Sequence, residues 1–219
     1  MDTEDVNQEY REREQEIESR LQEFEELRDA DSERWFKELV FVILTSRSSA
    51  KDSWKAVEKL DELNLLEDGG EEEIAEVLAM EGVRYERSKS RYIVNNRRKL
   101  SRPTLESTSG KLKLESRVDP ENLEATRERL VDGLKGVGWK GASHFLRNIG
   151  YGNGFAIVSG RITSKLHELG VIESLEQPSG KEEYLEVEER MRGLSRELDI
   201  DIKALDLVLW AMETGEIFK

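Results

Sequence analysis

Lys140 follows two closely spaced glycines in the run Leu134-Lys135-Gly136-Val137-Gly138-Trp139-Lys140-Gly141-Ala142-Ser143. Two glycines separated by one apolar residue permit a tight turn between helices with outward-pointing backbone N–H groups. Where such a turn runs into a helix N-terminus it forms a cradle for phosphate. Trp139 or Val137 can tuck inward, leaving Lys140 to project near the start of the second helix. An amine there can contact a phosphate. A free lysine, with a pKa near ~10.4, keeps its proton at neutral pH. A helix N-terminus and cationic, partly desolvated surroundings both disfavour the ammonium.

The neighbourhood of Lys140 in sequence has that character. Residues 133–167 contain no Asp or Glu, in a chain where 48 of 219 residues are acidic. They carry Lys135, Lys140, Arg147, Arg161 and Lys165 together with both histidines, His144 and His167. The chain as a whole has a formal charge of −14, so an island of about +5 sits on a remainder of about −19. A cationic island on an acidic protein marks where a polyanion binds. A second stretch, Arg84–Lys99, sets seven basic residues (Arg84, Arg87, Lys89, Arg91, Arg97, Arg98 and Lys99) against one acid, Glu86. Alone it fits a solvated helix face; beside the island it is expected to extend a shared DNA-facing surface. The acidic total fits either a surface adapted to high salt or an ordinary acidic cytosolic protein. The 20 arginines against 14 lysines accord with the first without deciding it.

Several classes of chemistry are set aside by what is missing. The chain has no cysteine, hence no disulfide and no thiolate metal site. His144 and His167 are far apart with no acid between them, so no zinc site is expected. There is no Gly-x-Ser-x-Gly for a serine hydrolase. No apolar run approaches the ~20 residues of a membrane span, and Met1-Asp2-Thr3-Glu4-Asp5 lacks the layout of a signal peptide. A soluble, cytoplasmic protein is expected.

Three prolines and recurrent 3–4 spacing of apolar residues predict an all-α chain positioning these groups. Ile17, Leu21, Phe24 and Leu27 line one face of an acidic helix over about 8–28. Trp35, Phe36, Leu39, Val40, Val42, Ile43 and Leu44 form a core helix. Ser48-Ser49 caps the next, which carries Trp54, Val57 and Leu60. Glu71 to Met80 is a short acidic helix ended by Gly82. Residues 101–120, with Pro103, Ser107-Thr108-Ser109-Gly110 and Asp119-Pro120, are the longest predicted loop. A helix-hairpin-helix occupies about 123–148, followed by the glycine-rich turn Gly150–Gly154, a short extended Phe155-Ala156-Ile157-Val158, and further helices. One domain spanning 1–219 is expected.

In these residues the chain resembles the helix-hairpin-helix superfamily of DNA glycosylases, and within it the archaeal-type 8-oxoguanine DNA glycosylase/AP lyases. The likeness begins around Glu16-Ile17-Glu18-Ser19-Arg20-Leu21 and runs through Trp35-Phe36-Lys37-Glu38-Leu39. It is most specific over Gly136–Asn148. It closes with Leu205-Asp206-Leu207-Val208-Leu209-Trp210 and Thr214-Gly215-Glu216-Ile217-Phe218-Lys219. The resemblance implies two helical subdomains flanking a DNA-binding cleft. The partner it implies is double-stranded DNA carrying an oxidised purine or an abasic site. The expected activity is base excision with an associated β-elimination lyase step, and Lys140 is implied as the nucleophile. Tyr85, Trp210 and Lys219 are implied to hold the extruded base, Trp210 by stacking. Arg47, Lys135, Gly136, Gly138 and Arg161 are implied to contact DNA. No cofactor is implied, save a monovalent cation at the hairpin held by carbonyls around Lys135, Val137 and Trp139.

Two positions depart from the family pattern. The family carries an aspartate a little under twenty residues after the lysine; the stretch here is Ile157-Val158-Ser159-Gly160-Arg161-Ile162, so Ser159 occupies that position. Serine can cap the following helix but supplies no negative charge. The nearest downstream acid is Glu168. Arg47, in Thr45-Ser46-Arg47-Ser48-Ser49-Ala50, stands where an asparagine that interrogates the orphaned cytosine is expected. Two functions follow: a glycosylase/lyase with reduced excision, or a catalytically inactive lesion- or structure-sensing DNA-binding protein of the same fold. Replacing Ser159→Asp retains a helix cap and restores a carboxylate. Single-turnover excision of 8-oxoguanine should then rise by about 10²-fold or more, the scale of one acid–base group. A wild-type rate that the substitution does not improve would show that another group already does this work.

Overall fold

The computed structural model of the chain describes residues 2–102, 111–152 and 154–219. Their regular structure is helical, as expected, apart from one two-residue ladder. In chain order the helices are α1 (Thr3–Glu26), α2 (Ser32–Leu44), α3 (Ala50–Glu62), α4 (Glu71–Met80) and α5 (Glu86–Leu100). They continue with α6 (Leu123–Gly133), α7 (Trp139–Asn148), α8 (Gly160–Glu168), α9 (Lys181–Leu198) and α10 (Ile202–Thr214). Between α5 and α6, β1 (Ser101–Arg102) pairs antiparallel with β2 (Lys111–Leu112). This ladder falls inside the predicted loop, because two-residue strands carry no periodicity to read. Pro103 and Ser107–Gly110 of that loop, and Asn153 of the glycine-rich turn, lie outside the described residues. The chain divides into two compact units, Met1–Arg28 with Trp139–Lys219, and Asp29–Gly138.

In the first unit α1 starts at Thr3, five residues before the predicted start near residue 8. Asp2 accounts for the difference. Its carboxylate accepts from the Glu4 and Asp5 amides, and the Asp5 side chain accepts from the Asp2 amide, a reciprocal capping box. The helix buries only Val6, Ile17 and Phe24. Its remaining faces carry exposed pairs such as Arg11–Glu4 and Arg20–Glu23, which add little stability each. Helix α10 is the hub: it packs against α1, α8 and α9 and is buried at Ile202, at every residue from Ala204 to Leu209, and at Ala211.

The extended run Phe155–Val158 is buried without a neighbouring strand. Its backbone groups still need partners, and α9 supplies them. The Tyr184 hydroxyl donates to the Ala156 carbonyl at 2.7 Å and accepts from the Val158 amide at 3.3 Å. Glu188, itself buried, accepts from the Ala156 amide at 3.0 Å and from Arg192 at 2.7 Å. Ser159 then caps α8 by accepting from the Ile162 amide at 3.4 Å, as the sequence predicts.

In the second unit one stripe of α5 organises two irregular segments. Lys89, Tyr92, Asn96 and Lys99 recur at helical spacing. Lys89 is buried and donates from Nζ to the Leu44 carbonyl (2.8 Å), the Ser46 carbonyl (2.7 Å) and Ser48 Oγ (3.0 Å). Further along, Asn96 makes a two-way bond with Lys135, its amide donating to the carbonyl at 2.9 Å and its oxygen accepting from the N–H at 2.8 Å. Lys99 reaches the Gly133 carbonyl at 2.6 Å. Tyr92 lies flat against Gly136, whose φ is +76° and whose added Cβ would come within 2.6 Å of the Tyr92 ring. Both the conformation and the space therefore require glycine there.

The predicted DNA-facing role of the whole Arg84–Lys99 stretch is corrected by this arrangement. Lys89 is interior, and Arg97 is spent on the Leu65 (3.0 Å), Leu66 (3.3 Å) and Gly69 (2.7 Å) carbonyls. Charge counting cannot distinguish a lysine that caps a buried helix end from one that faces solvent. Asn96→Ala removes both bonds to Lys135 and should cost about 1–3 kcal/mol of stability. Chemical denaturation measures the cost, and hydrogen exchange should show protection lost at the Lys135 amide.

Candidate active site

Lys140 is the second residue of α7, directly after the turn containing Gly136 and Gly138. The helix has no acidic residue in its first turn, so no carboxylate of that turn offsets its positive end. Lys140 keeps some exposed surface, yet burial of the amine lowers its pKa from 10.5 to about 8. At pH 7 that leaves roughly one amine in ten unprotonated, against roughly one in three thousand for an ordinary lysine. Lys165, the other lysine of the island within this unit, behaves in the opposite way. It is paired with Glu168 at 3.0 Å and Glu213 at 3.3 Å, and these hydrogen bonds raise its pKa. Glu168, the acid nearest to Ser159 downstream, is thus engaged by Lys165.

The rest of α7 is buried from Gly141 to Asn148 and carries Ser143, His144, Arg147 and Asn148 into that interior. His144, one turn after Lys140, is held well below its ordinary pKa by burial, with the charges of Arg147, Lys140 and Lys219 adding to the effect. A hydrogen bond with the Lys219 backbone acts against them. His144 therefore brings the ends of two implied site residues, Lys140 and Lys219, into one neighbourhood while staying neutral. Arg147 places its guanidinium 4.5 Å from the Phe24 ring centroid and 3.9 Å from Asp206 on α10. Burial raises the Asp206 carboxyl from 3.8 to about 6, with Arg147 and the Leu207 amide opposing. One turn along α10, Trp210 is half-buried against the core of the unit, and the Arg161 guanidinium stands 4.9 Å from its ring centroid.

In the second unit, Arg47 and Tyr85 both stand exposed in left-handed backbone conformations, with φ of 56° and 61°. Such conformations are uncommon for side chains of this kind and cost about 1–3 kcal/mol unless the surroundings impose them. Here they are imposed. Ser48 Oγ, held by Lys89, also accepts from the Arg84 amide at 2.9 Å. The loop carrying Arg47 and the turn carrying Tyr85 are thereby fastened to each other. Lys135 and Gly138 are exposed, and nothing lies within 4 Å of the space a Gly138 Cβ would fill. Of the carbonyls implied for a monovalent cation, that of Lys135 already accepts the Asn96 amide.

Sequence reasoning missed the residues that position these groups: Glu188 and Tyr184 under Ala156, Asn96 under the turn, Lys89 and Ser48 under Arg47 and Tyr85. The available signal was a polar residue recurring on the apolar stripe of a helix, as Tyr184 and Glu188 do at four-residue spacing. His144, Arg147 and Asp206 give the same signal in α7 and α10.

Comparison with known proteins identifies relatives of the whole chain. A family model described as 8-oxoguanine DNA glycosylase matches residues 17–200. The 8-oxoguanine DNA glycosylase/AP lyase of Methanocaldococcus jannaschii is 34% identical over 206 residues, covering 93% of this chain and 91% of that protein. The protein so named from Korarchaeum cryptofilum is 37% identical over 204 residues, 93% of this chain and 90% of its own length. A crystal structure of the Methanocaldococcus jannaschii glycosylase/lyase with a 15mer DNA containing 8-oxoguanine superposes with a TM-score of 0.85 at 30% identity. That match covers 98% of this chain and 99% of the other. The Thermotoga maritima 8-oxoguanine DNA glycosylase gives a TM-score of 0.84 at 31% identity, with 99% and 98% covered.

The buried Asp206 carboxyl makes a pH prediction. Its folded pKa lies above its unfolded one, so the folded state holds the proton more tightly. Its contribution is complete below about pH 4 and is lost as pH rises through about 6, roughly 3 kcal/mol in all. Asp206→Asn should remove that loss. Unfolding free energies measured from pH 4 to 7 should show wild type losing ground to the variant by roughly that amount. His144, with its lowered pKa, costs stability as pH falls below 6.5 in both proteins, and cancels in the difference.

Proposed function

The chain belongs to the 8-oxoguanine DNA glycosylase family, and from that premise we propose that it is a base-excision repair enzyme that removes 8-oxoguanine and cleaves the resulting abasic site. The inactive DNA-binding alternative finds no support in the comparisons, whose curated relatives are named as glycosylase/lyases over nearly the full length. No helix of the described residues is long and apolar enough to cross a membrane, and we place the protein with chromosomal DNA in the cytoplasm, acting as a monomer.

The observation that carries the chemical part is the situation of Lys140: second in α7, behind the glycine turn, with its amine desolvated to a pKa of about 8. The target nucleotide leaves the stack, because its glycosidic carbon is out of reach inside the duplex. The Lys140 amine attacks the anomeric carbon as the bond to the base breaks, and the departing base takes up a proton. Opening of the sugar leaves a Schiff base, and loss of a proton from the adjacent carbon expels the 3′ phosphate. His144, kept neutral beside this lysine, adds no positive charge that would have to be overcome. Trp210 stacks on the extruded base with Lys219 nearby, Tyr85 contacts that base, and Arg47, Lys135, Gly136, Gly138 and Arg161 contact the duplex. Ser159 caps α8 in place of a carboxylate, so excision is the slower step, and reaction with a pre-existing abasic site suffers less.

Borohydride trapping on duplexes carrying 8-oxoguanine or an abasic site tests the assignment. Lys140→Gln should abolish trapping while leaving duplex affinity within about a few-fold, since one amine at the mouth of a larger contact contributes little to binding. In wild type, the rate of trapping at an abasic site should rise with pH to a plateau, with a midpoint near about 8. Trapping that survives the substitution would assign the amine elsewhere, with exposed Lys135 next in line.

A further inference from the structure

Arg161 is the odd cation of the first unit. Among the described residues its guanidinium has neither a hydrogen-bond acceptor nor a carboxylate partner, and it stands instead 4.9 Å over the Trp210 ring. Lys165, one turn further along α8, shows what the surroundings offer, being tied to both Glu168 and Glu213. In a chain with 48 acidic residues, a basic side chain at a helix start has many carboxylates to choose from, and this one rests on an indole. The position of Trp210 gives the contact its meaning. Trp210 is only partly buried against the unit's core. A planar guest stacking on it needs a ring face clear of protein, and the exposed Arg161 stands over one face.

We propose that Arg161 is a specificity-determining residue: it covers the stacking face of Trp210 against free bases and nucleosides, and yields it when a DNA phosphate draws the guanidinium away. The proposal rests on the reading above that Trp210 receives the extruded base. An exposed guanidinium over a half-buried indole is held by the ring quadrupole alone, whereas a phosphate offers charge-assisted, two-pronged hydrogen bonds that are stronger. A free nucleoside brings stacking and nothing to occupy the arginine, so it must displace the cation at its own cost. A nucleotide within a duplex arrives with phosphates on both sides. The same side chain thus disfavours the monomer and favours the polymer, and directs the pocket to lesions in DNA rather than to oxidised guanine nucleosides in solution.

The opposite signs make the test decisive. Wild type and Arg161→Ala are titrated with free 8-oxo-2′-deoxyguanosine and, separately, with an undamaged duplex, following affinity and the Trp210 indole N–H resonance. Nucleoside affinity should rise by about 2- to 5-fold in the variant, the size of an exposed cation–π contact, while duplex affinity falls. In wild type the duplex should move the indole resonance toward its position in the variant, because the arginine has left the ring. An unchanged or weaker nucleoside affinity in Arg161→Ala, including no binding by either protein, overturns the proposal, as does an indole resonance unmoved by duplex. Borohydride trapping by the same wild-type preparation on an 8-oxoguanine duplex separates the two levels. Trapping alongside a failed nucleoside result discards the role of Arg161 and leaves the glycosylase standing. Absence of trapping discards the glycosylase reading itself, and the indole shift still judges the arginine.

Discussion

The burial of α7 is the constraint on which the rest of the first unit depends. A ten-residue helix enclosed from Gly141 to Asn148 cannot keep ordinary ionisation at its polar positions. Lys140, at the mouth of this helix, loses hydration and with it much of its hold on a proton. His144 stays neutral for the same reason. Arg147 cannot shed its charge, so it takes Asp206 and the Phe24 ring as partners. One physical cause, desolvation, thus produces a lysine with a lowered pKa, a neutral imidazole and a guanidinium drawn to Asp206 on successive turns. Acidic residues in this stretch would undo the arrangement by restoring the ammonium of Lys140, and residues 133–167 have none.

Around this core, the irregular segments are held by side chains instead of by a sheet. An extended run such as Phe155–Val158 has backbone donors and acceptors to satisfy, and in a helical fold those partners come from buried polar groups on neighbouring helices. Tyr184 and Glu188 serve Ala156 and Val158. Lys89 serves Leu44, Ser46 and Ser48, and Asn96 and Lys99 serve the backbone from Gly133 to Lys135. In each case the segment so fixed bears, or borders, a residue assigned to the chemistry or to DNA: Ser159, Arg47, Lys135 and Gly136. Precision at a site comes from supports of this kind, anchored on rigid helices.

The cations of this protein are sorted by what they touch. Lys89, Arg97 and Lys99 serve carbonyl oxygens; Lys165 serves two carboxylates; Lys140 is desolvated; Arg161 lies on an aromatic ring. A count of charges treats them alike, yet their surroundings differ in kind.

Much was legible in the sequence. Apolar periodicity and the scarcity of proline gave the all-α class, and cap residues such as Ser49 and Ser159 marked helix starts. The glycine turn with Lys140 in an acid-free stretch pointed to a polyanion contact, because composition and local backbone freedom are properties of neighbouring residues and survive in one dimension. Asp2 shows the limit even locally, since its capping box began α1 five residues before the apolar stripe could signal a helix. What only the tertiary structure decided was the environment of each charge. Whether Lys89 is a DNA contact or an interior clamp depends on the carbonyls of residues more than forty positions away. Which of Lys140 and Lys165 loosens its hold on a proton depends on desolvation in one case and on Glu168 and Glu213 in the other. That Arg161 covers Trp210 depends on two helices meeting. Desolvation, pairing and stacking are set by distances in space, and sequence separation carries no information about them until the chain has folded.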